Sequence, residues 1–166
     1  MILGRWTRAA LVAVTLVATV RAATTSEGPF DIPLFNTAKA PSAQGHARLV
    51  FAHSPFGVAV TADGRASYDV QFEITGLPEA STLGAYSAYV AWAVTTDLKD
   101  WHRLGVLTNG KNTVGRAELN KFLIVVSAEA SSNATAHAGP TVLHGSSPSS
   151  WLQSFLSHPL FRGIPP

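Results

Sequence analysis

Between residues 66 and 75 the chain alternates with a strict period of two. Tyr68, Val70, Phe72 and Ile74 are apolar, whereas Asp69, Gln71, Glu73 and Thr75 are polar. Successive side chains of an extended strand point to opposite faces, so this pattern makes one dry face and one wet face. A strand of that kind needs a sheet around it and a core beneath it. Val58 and Val60 alternate just upstream, and Asp63-Gly64 marks a turn between the two runs. A three-residue Ala62-Asp63-Gly64 loop sets Val58 opposite Tyr68 and Phe56 opposite Val70. A two-residue loop would instead set apolar against polar, so the longer loop is the expected register, with Gly64 left-handed.

The remaining pattern is also that of short strands between turn signals. Leu77-Pro78 stops the first strand, and 85–95 forms the next. There Tyr86, Ala88, Val90, Trp92 and Val94 share the face expected to point inward, near Phe72 and Ile124. Ser87, Tyr89, Ala91 and Ala93 make a second face that is small but not polar. Residues 97–101 form a turn, 103–107 a strand, 122–126 a central strand and 141–143 an edge strand. Seven or eight strands over roughly 100 residues favour an all-β, antiparallel β-sandwich. Helix is expected only as a turn over 116–121 and a short segment over 149–157.

The domain plan follows from the two ends of the chain. Residues 1–22 read as a secretory signal peptide: Arg5 and Arg8, a largely apolar run over 9–20, then Val20-Arg21-Ala22. The run is short for a membrane span, which needs about 20 apolar residues; the alternative is an uncleaved anchor. Residues 23–45 read as an extended arm with one short strand near 30–35, 46–144 as the β-sandwich domain, and 145–166 as a Ser/Pro-rich linker and apolar tail. In that tail Trp151, Leu152, Phe155 and Leu156 gather on one helical face, with Ser149 and Ser150 at its start and Pro159 beyond its end.

Composition narrows the function classes. Charged residues are 13% of the 166, too few for a charged disordered tail or a coiled coil. There is no cysteine, which excludes disulfides, thiolate metal sites and a cysteine nucleophile. The precursor carries 12 basic and 10 acidic side chains. Three of the basic ones (Arg5, Arg8, Arg21) leave with the leader and no acidic one does, so the mature chain is slightly acidic. No nucleic-acid partner is expected from that balance.

No phosphate loop, dinucleotide fingerprint, nucleophile elbow or paired-histidine metal motif occurs. The six histidines (His46, His53, His102, His137, His144, His158) never stand at ligand spacing, and surface positions are expected for them. Asp97 and Asp100 suit a turn better than a calcium site. Asn133-Ala134-Thr135 matches a glycosylation sequon. Trp101, placed in a turn, is either an exposed binding anchor or a lid on the core.

One resemblance is carried by ordered motifs: Leu77-Pro78, Tyr89 and Trp92 in one strand, Leu104-Gly105-Val106, the Ile124-to-Glu129 strand, and Gly139-Pro140-Thr141-Val142-Leu143. Over about half of the chain these resemble the extracytoplasmic domain of the anti-sigma-K-factor type. The resemblance implies an immunoglobulin-like β-sandwich outside the cytoplasm. That family carries a sigma-binding region and a membrane span ahead of the domain, for which this chain has no room, so a transcriptional role is not expected.

The expected function is therefore a secreted or periplasmic, non-enzymatic module that binds a protein or cell-envelope component. No catalytic residue, metal or cofactor is expected, and Trp101, Trp151, Phe155 and Phe161 are the candidate partner-binding residues. The tail either covers an open end of the sandwich or docks on a partner or membrane surface. The competing readings are a periplasmic metal-binding protein and a hydrolase with its site assembled from loop histidines.

Overall fold

A computed structural model describes residues 30–53, 61–62 and 65–147. The described chain is all-β, with strands β1 (Asp31–Asn36), β2 (Gln44–Phe51), β3 (Tyr68–Thr75), β4 (Ala88–Thr95), β5 (Trp101–Leu107), β6 (Gly110–Ala117), β7 (Phe122–Glu129) and β8 (Thr141–Ser146). A single 3-10 turn, Ala80–Leu83, follows β3. All neighbours run antiparallel in one sheet of order β5-β4-β7-β8-β1-β2-β3-β6. The two margins, β5 and β6, come back into contact, so the sheet curls nearly into a barrel. β1 turns the corner: Asp31–Leu34 pair with β2, whereas Phe35 and Asn36 pair with β8.

The main core fills the inside of this curl. Ile32, Ala47, Val70, Phe72, Ile124 and Val126 are among its fully enclosed members and come from four strands. β3 supplies three of its four apolar residues as the alternation predicts, with Val70, Phe72 and Ile74 buried and Gln71, Glu73 and Thr75 exposed.

A second, smaller cluster lies on the outer face, where Val90, Trp92, Val94 and Val125 pack together under Trp101 and Leu123. The expected inward face of β4 is therefore corrected. Trp92 is fully buried, but away from Phe72 and Ile124, which belong to the inner core. The inward residues are Tyr89, Ala91 and Ala93, and Tyr86 is half-buried at their edge. Both faces of β4 are covered, so apolarity alone does not tell inside from outside. Small alanines belong where strands approach closely, and the bulky indole belongs where a loop can be laid over it.

Further expectations bear on β3 and on the ends of the sheet. Tyr68 and Val70 pair with Phe51 and Leu49 on one side and with Ala117 and Val114 on the other. Both edges of β3 are thus occupied at Tyr68 and Val70. Thr61 N–H donates to the Arg65 carbonyl at 2.8 Å. The helical turn over 116–121 is absent, because β6 runs through Ala117 and its Arg116 pairs with Asp69. The arm carries its expected short strand as β1, and β2 begins at Gln44. The leader (1–22), Phe56, Val58, Val60, Gly64, His158 and the tail residues Trp151, Phe155 and Phe161 lie outside the described residues.

Candidate binding surfaces

Leu77, Pro78, Tyr89, Trp92 and Glu129 tie strands and turns together through hydrogen bonds. The Asn109 side chain accepts from Leu77 N–H at 3.0 Å and donates back to the Leu77 carbonyl at 2.8 Å. The Tyr89 hydroxyl donates to the Pro78 carbonyl at 2.9 Å. Trp92 Nε1 donates to Ser127 Oγ at 2.9 Å, and Ser127 donates to Glu129 Oε1 at 2.5 Å. Glu129 also receives the backbone N–H groups of Ala138 and Gly139. Glu129 is 2% exposed, and this set of donors is what makes a buried carboxylate tolerable. These residues hold the frame together.

The titratable side chains are dispersed. Among the described residues no three His, Asp or Glu side chains come together in a metal-holding group. His46 lies 3.9 Å from Glu73 as a half-exposed cross-strand neighbour, while His53, His102 and His144 are exposed. Asp97 accepts from the Thr95 hydroxyl at 2.7 Å and pairs with Lys99 at 3.1 Å. Those contacts hold its carboxyl below the usual carboxylate range, the Thr95 bond first. Asp97 is thus a turn-forming aspartate.

Trp101 is the first residue of β5 and half-buried. Its indole N–H donates to the Leu98 carbonyl at 3.0 Å. Its ring stands edge-on to Trp92, with centroids 6.3 Å apart, and stacks on His137 at 4.1 Å and 18°. The β7–β8 connection brings His137 over the outer cluster and ties it down where Arg103 donates to the Ser132 carbonyl at 2.8 Å. Trp101 therefore serves as a lid in this structure.

The exposed aromatic surface lies elsewhere, and sequence reading missed it. Phe51 stands opposite Tyr68 in the β2–β3 ladder, and Leu49 N–H donates to the Phe30 carbonyl, which extends the β1–β2 ladder by one residue. All three rings consequently lie on the inner face, above Leu49 and Val70, where the core reaches the end of the curl. Phe30 meets Phe51 edge-to-face at 5.3 Å, and Phe51 lies 5.2 Å from Tyr68. Phe51 nevertheless remains 56% exposed and Phe30 40%. Burial pushes the Tyr68 phenol up from its ordinary value. Phe30 stands 21 residues before Phe51 in the chain, so only strand pairing unites the patch.

At the opposite end, below the Leu77-Pro78 turn, lies a half-open cavity of about 320 Å³. Leu77, Ala80, Ala88, Val106 and Leu107 give it apolar walls, and Glu79 supplies its one charged side chain. The Tyr89 phenol in this wall is pushed up by burial and, secondarily, by the Glu79 charge.

The chain matches no family model, and no curated protein or solved structure matches it either.

Proposed function

We propose that this protein is a secreted or periplasmic, non-enzymatic module of the immunoglobulin-like sandwich type that binds a protein or cell-envelope component. The observation that carries this reading is the aromatic rim: three rings in mutual contact, continuous with the core, with Phe51 more than half exposed. Contiguous exposed apolar patches mark interaction surfaces, and rigid aromatic side chains are the usual anchors of such contacts. The split pairing of β1 between β2 and β8 supports the division of the strands into two packed sheets. The Arg5/Arg8 leader supports export. Trp151, Phe155 and Phe161 in the tail are proposed as a further apolar contact with the same partner or with the membrane surface.

The test is a photo-crosslinking residue placed at position 51 and irradiated in native envelope preparations. One discrete adduct, lost when Phe30→Ser is added, is the expected result. Adducts that are absent, or unchanged by Phe30→Ser, would remove the rim as a binding face. Because Phe51 is more than half exposed but packs on two rings, Phe51→Ser should cost about 1–2 kcal/mol, and a native spectrum of the variant separates lost binding from lost folding.

A further inference from the structure

A second site, independent of the aromatic rim, lies in the cavity below Leu77-Pro78. We infer that this cavity receives a lysine side chain of a partner, its stem along the apolar walls and its ammonium against Glu79.

Three observations carry the inference. The volume, about 320 Å³, is at the low end of the range for ligand pockets, about 300–1,000 Å³. That suits one long side chain better than a cofactor. The walls are also fixed before anything binds. Asn109 clamps Leu77, Tyr89 holds Pro78, and the Ser87 hydroxyl donates to the Ala130 carbonyl at 2.8 Å. A preformed cleft avoids the ordering cost of shaping itself around a ligand.

The third observation is what the polar lining leaves unengaged. The hydroxyls of Ser87, Tyr89 and Thr108 and both side-chain atoms of Asn109 already have partners, as does the Ser132 carbonyl under Arg103. Glu79 is different. It precedes the 3-10 turn without capping it, and its carboxylate makes no hydrogen bond or ion pair among the described residues. A cleft with apolar walls and one exposed, unengaged carboxylate is complementary to an ammonium on an aliphatic stem. A lysine side chain has that shape, and its stem can lie along apolar surface while its charge stays partly hydrated.

The experiment is an amide-resonance titration of the full mature chain with Nα-acetyl-lysine N-methylamide, set against the isosteric norleucine compound. Saturable shifts confined to the amides of Glu79, Ala80, Ala88 and Leu107 are expected. Binding should weaken about tenfold in Glu79→Gln and by a similar factor for norleucine, the loss of one charge-assisted contact. Added salt should weaken the lysine compound and leave the norleucine compound unchanged. Shifts spread over the surface carboxylates, or equal affinity for the two compounds, would overturn the proposal without needing any variant. A Glu79→Gln protein with a native spectrum that titrates like the parent would overturn it too. None of these outcomes bears on crosslinking through position 51, so the two sites stand or fall separately.

Discussion

Trp92 connects the outer apolar cluster to the buried polar network. Its ring fills the outer cluster between Val90 and Val94, and its N–H begins the hydrogen-bonded run through Ser127 to Glu129 and on to Gly139. Trp92→Ala should cost about 3–5 kcal/mol, since it removes the largest fully buried side chain and leaves a cavity. Glu129→Ala should cost about 1–3 kcal/mol by a different route. It leaves the Ser127 hydroxyl and the Gly139 N–H buried without an acceptor. Denaturant unfolding with unchanged slope would measure both, and a neutral Glu129→Ala would contradict the network as drawn. A residue-level pH effect accompanies these. The Tyr68 and Tyr89 phenols are raised in the folded state, chiefly by burial. Stability linked to a raised phenol is fully present below the unfolded value, about 10, and is lost as pH rises through the folded value. Tyr89→Phe should accordingly flatten part of the alkaline fall in melting temperature. It should also lower the neutral plateau, because the bond to the Pro78 carbonyl is gone.

Among the elements, the decisive link is the one between the exit of β3 and the β5–β6 turn. Asn109 makes it by satisfying both backbone groups of Leu77, in a place where no strand can pair. Asn109→Ala should destabilise by about 1–3 kcal/mol, and Asn109→Asp should recover only the bond from Leu77 N–H. Thermal melts of the two variants would check the order. The Thr108-Asn109-Gly110 signal is readable in the sequence as a turn, but its long-range role is not. The same contrast holds for the strands. β3 and β7 are legible because one alternates and the other is a continuous apolar run. β6 is not, since Lys111, Asn112 and Thr113 lie on or beside a solvated face and only Val114 and Ala117 reach the core. β2 hides its inward row behind Gly45 and Ala47, which carry too little apolar surface to reveal a period. The rim could not be read at all, because Phe30, Phe51 and Tyr68 become neighbours only through the β1–β2 and β2–β3 registers.

At the scale of the whole molecule, the curl has one seam, between β5 and β6. These margins have no hydrogen-bonded ladder between them, yet they touch. The approach is close because glycine stands on both sides of it. A Cβ built on Gly115 would come 2.3 Å from the Leu104 carbonyl oxygen, and one on Gly105 would come 3.0 Å from Val114 Cβ. Gly115 also has φ +27°, a conformation that side chains resist. Gly115→Ala thus imposes a clash with backbone and a strained dihedral together. The cost should exceed the roughly 1 kcal/mol of an ordinary glycine penalty. The way it appears should be local before it is global. Elements held by ladders on both sides, such as β4 and β7, exchange their amide hydrogens only when the molecule opens widely, whereas a seam without a ladder opens first. Hydrogen exchange in Gly115→Ala should therefore rise along β5 and β6 while β7 keeps most of its protection. If β7 and β5 lost protection equally, the seam would not be a separate weak line, and the sheet would open as one unit.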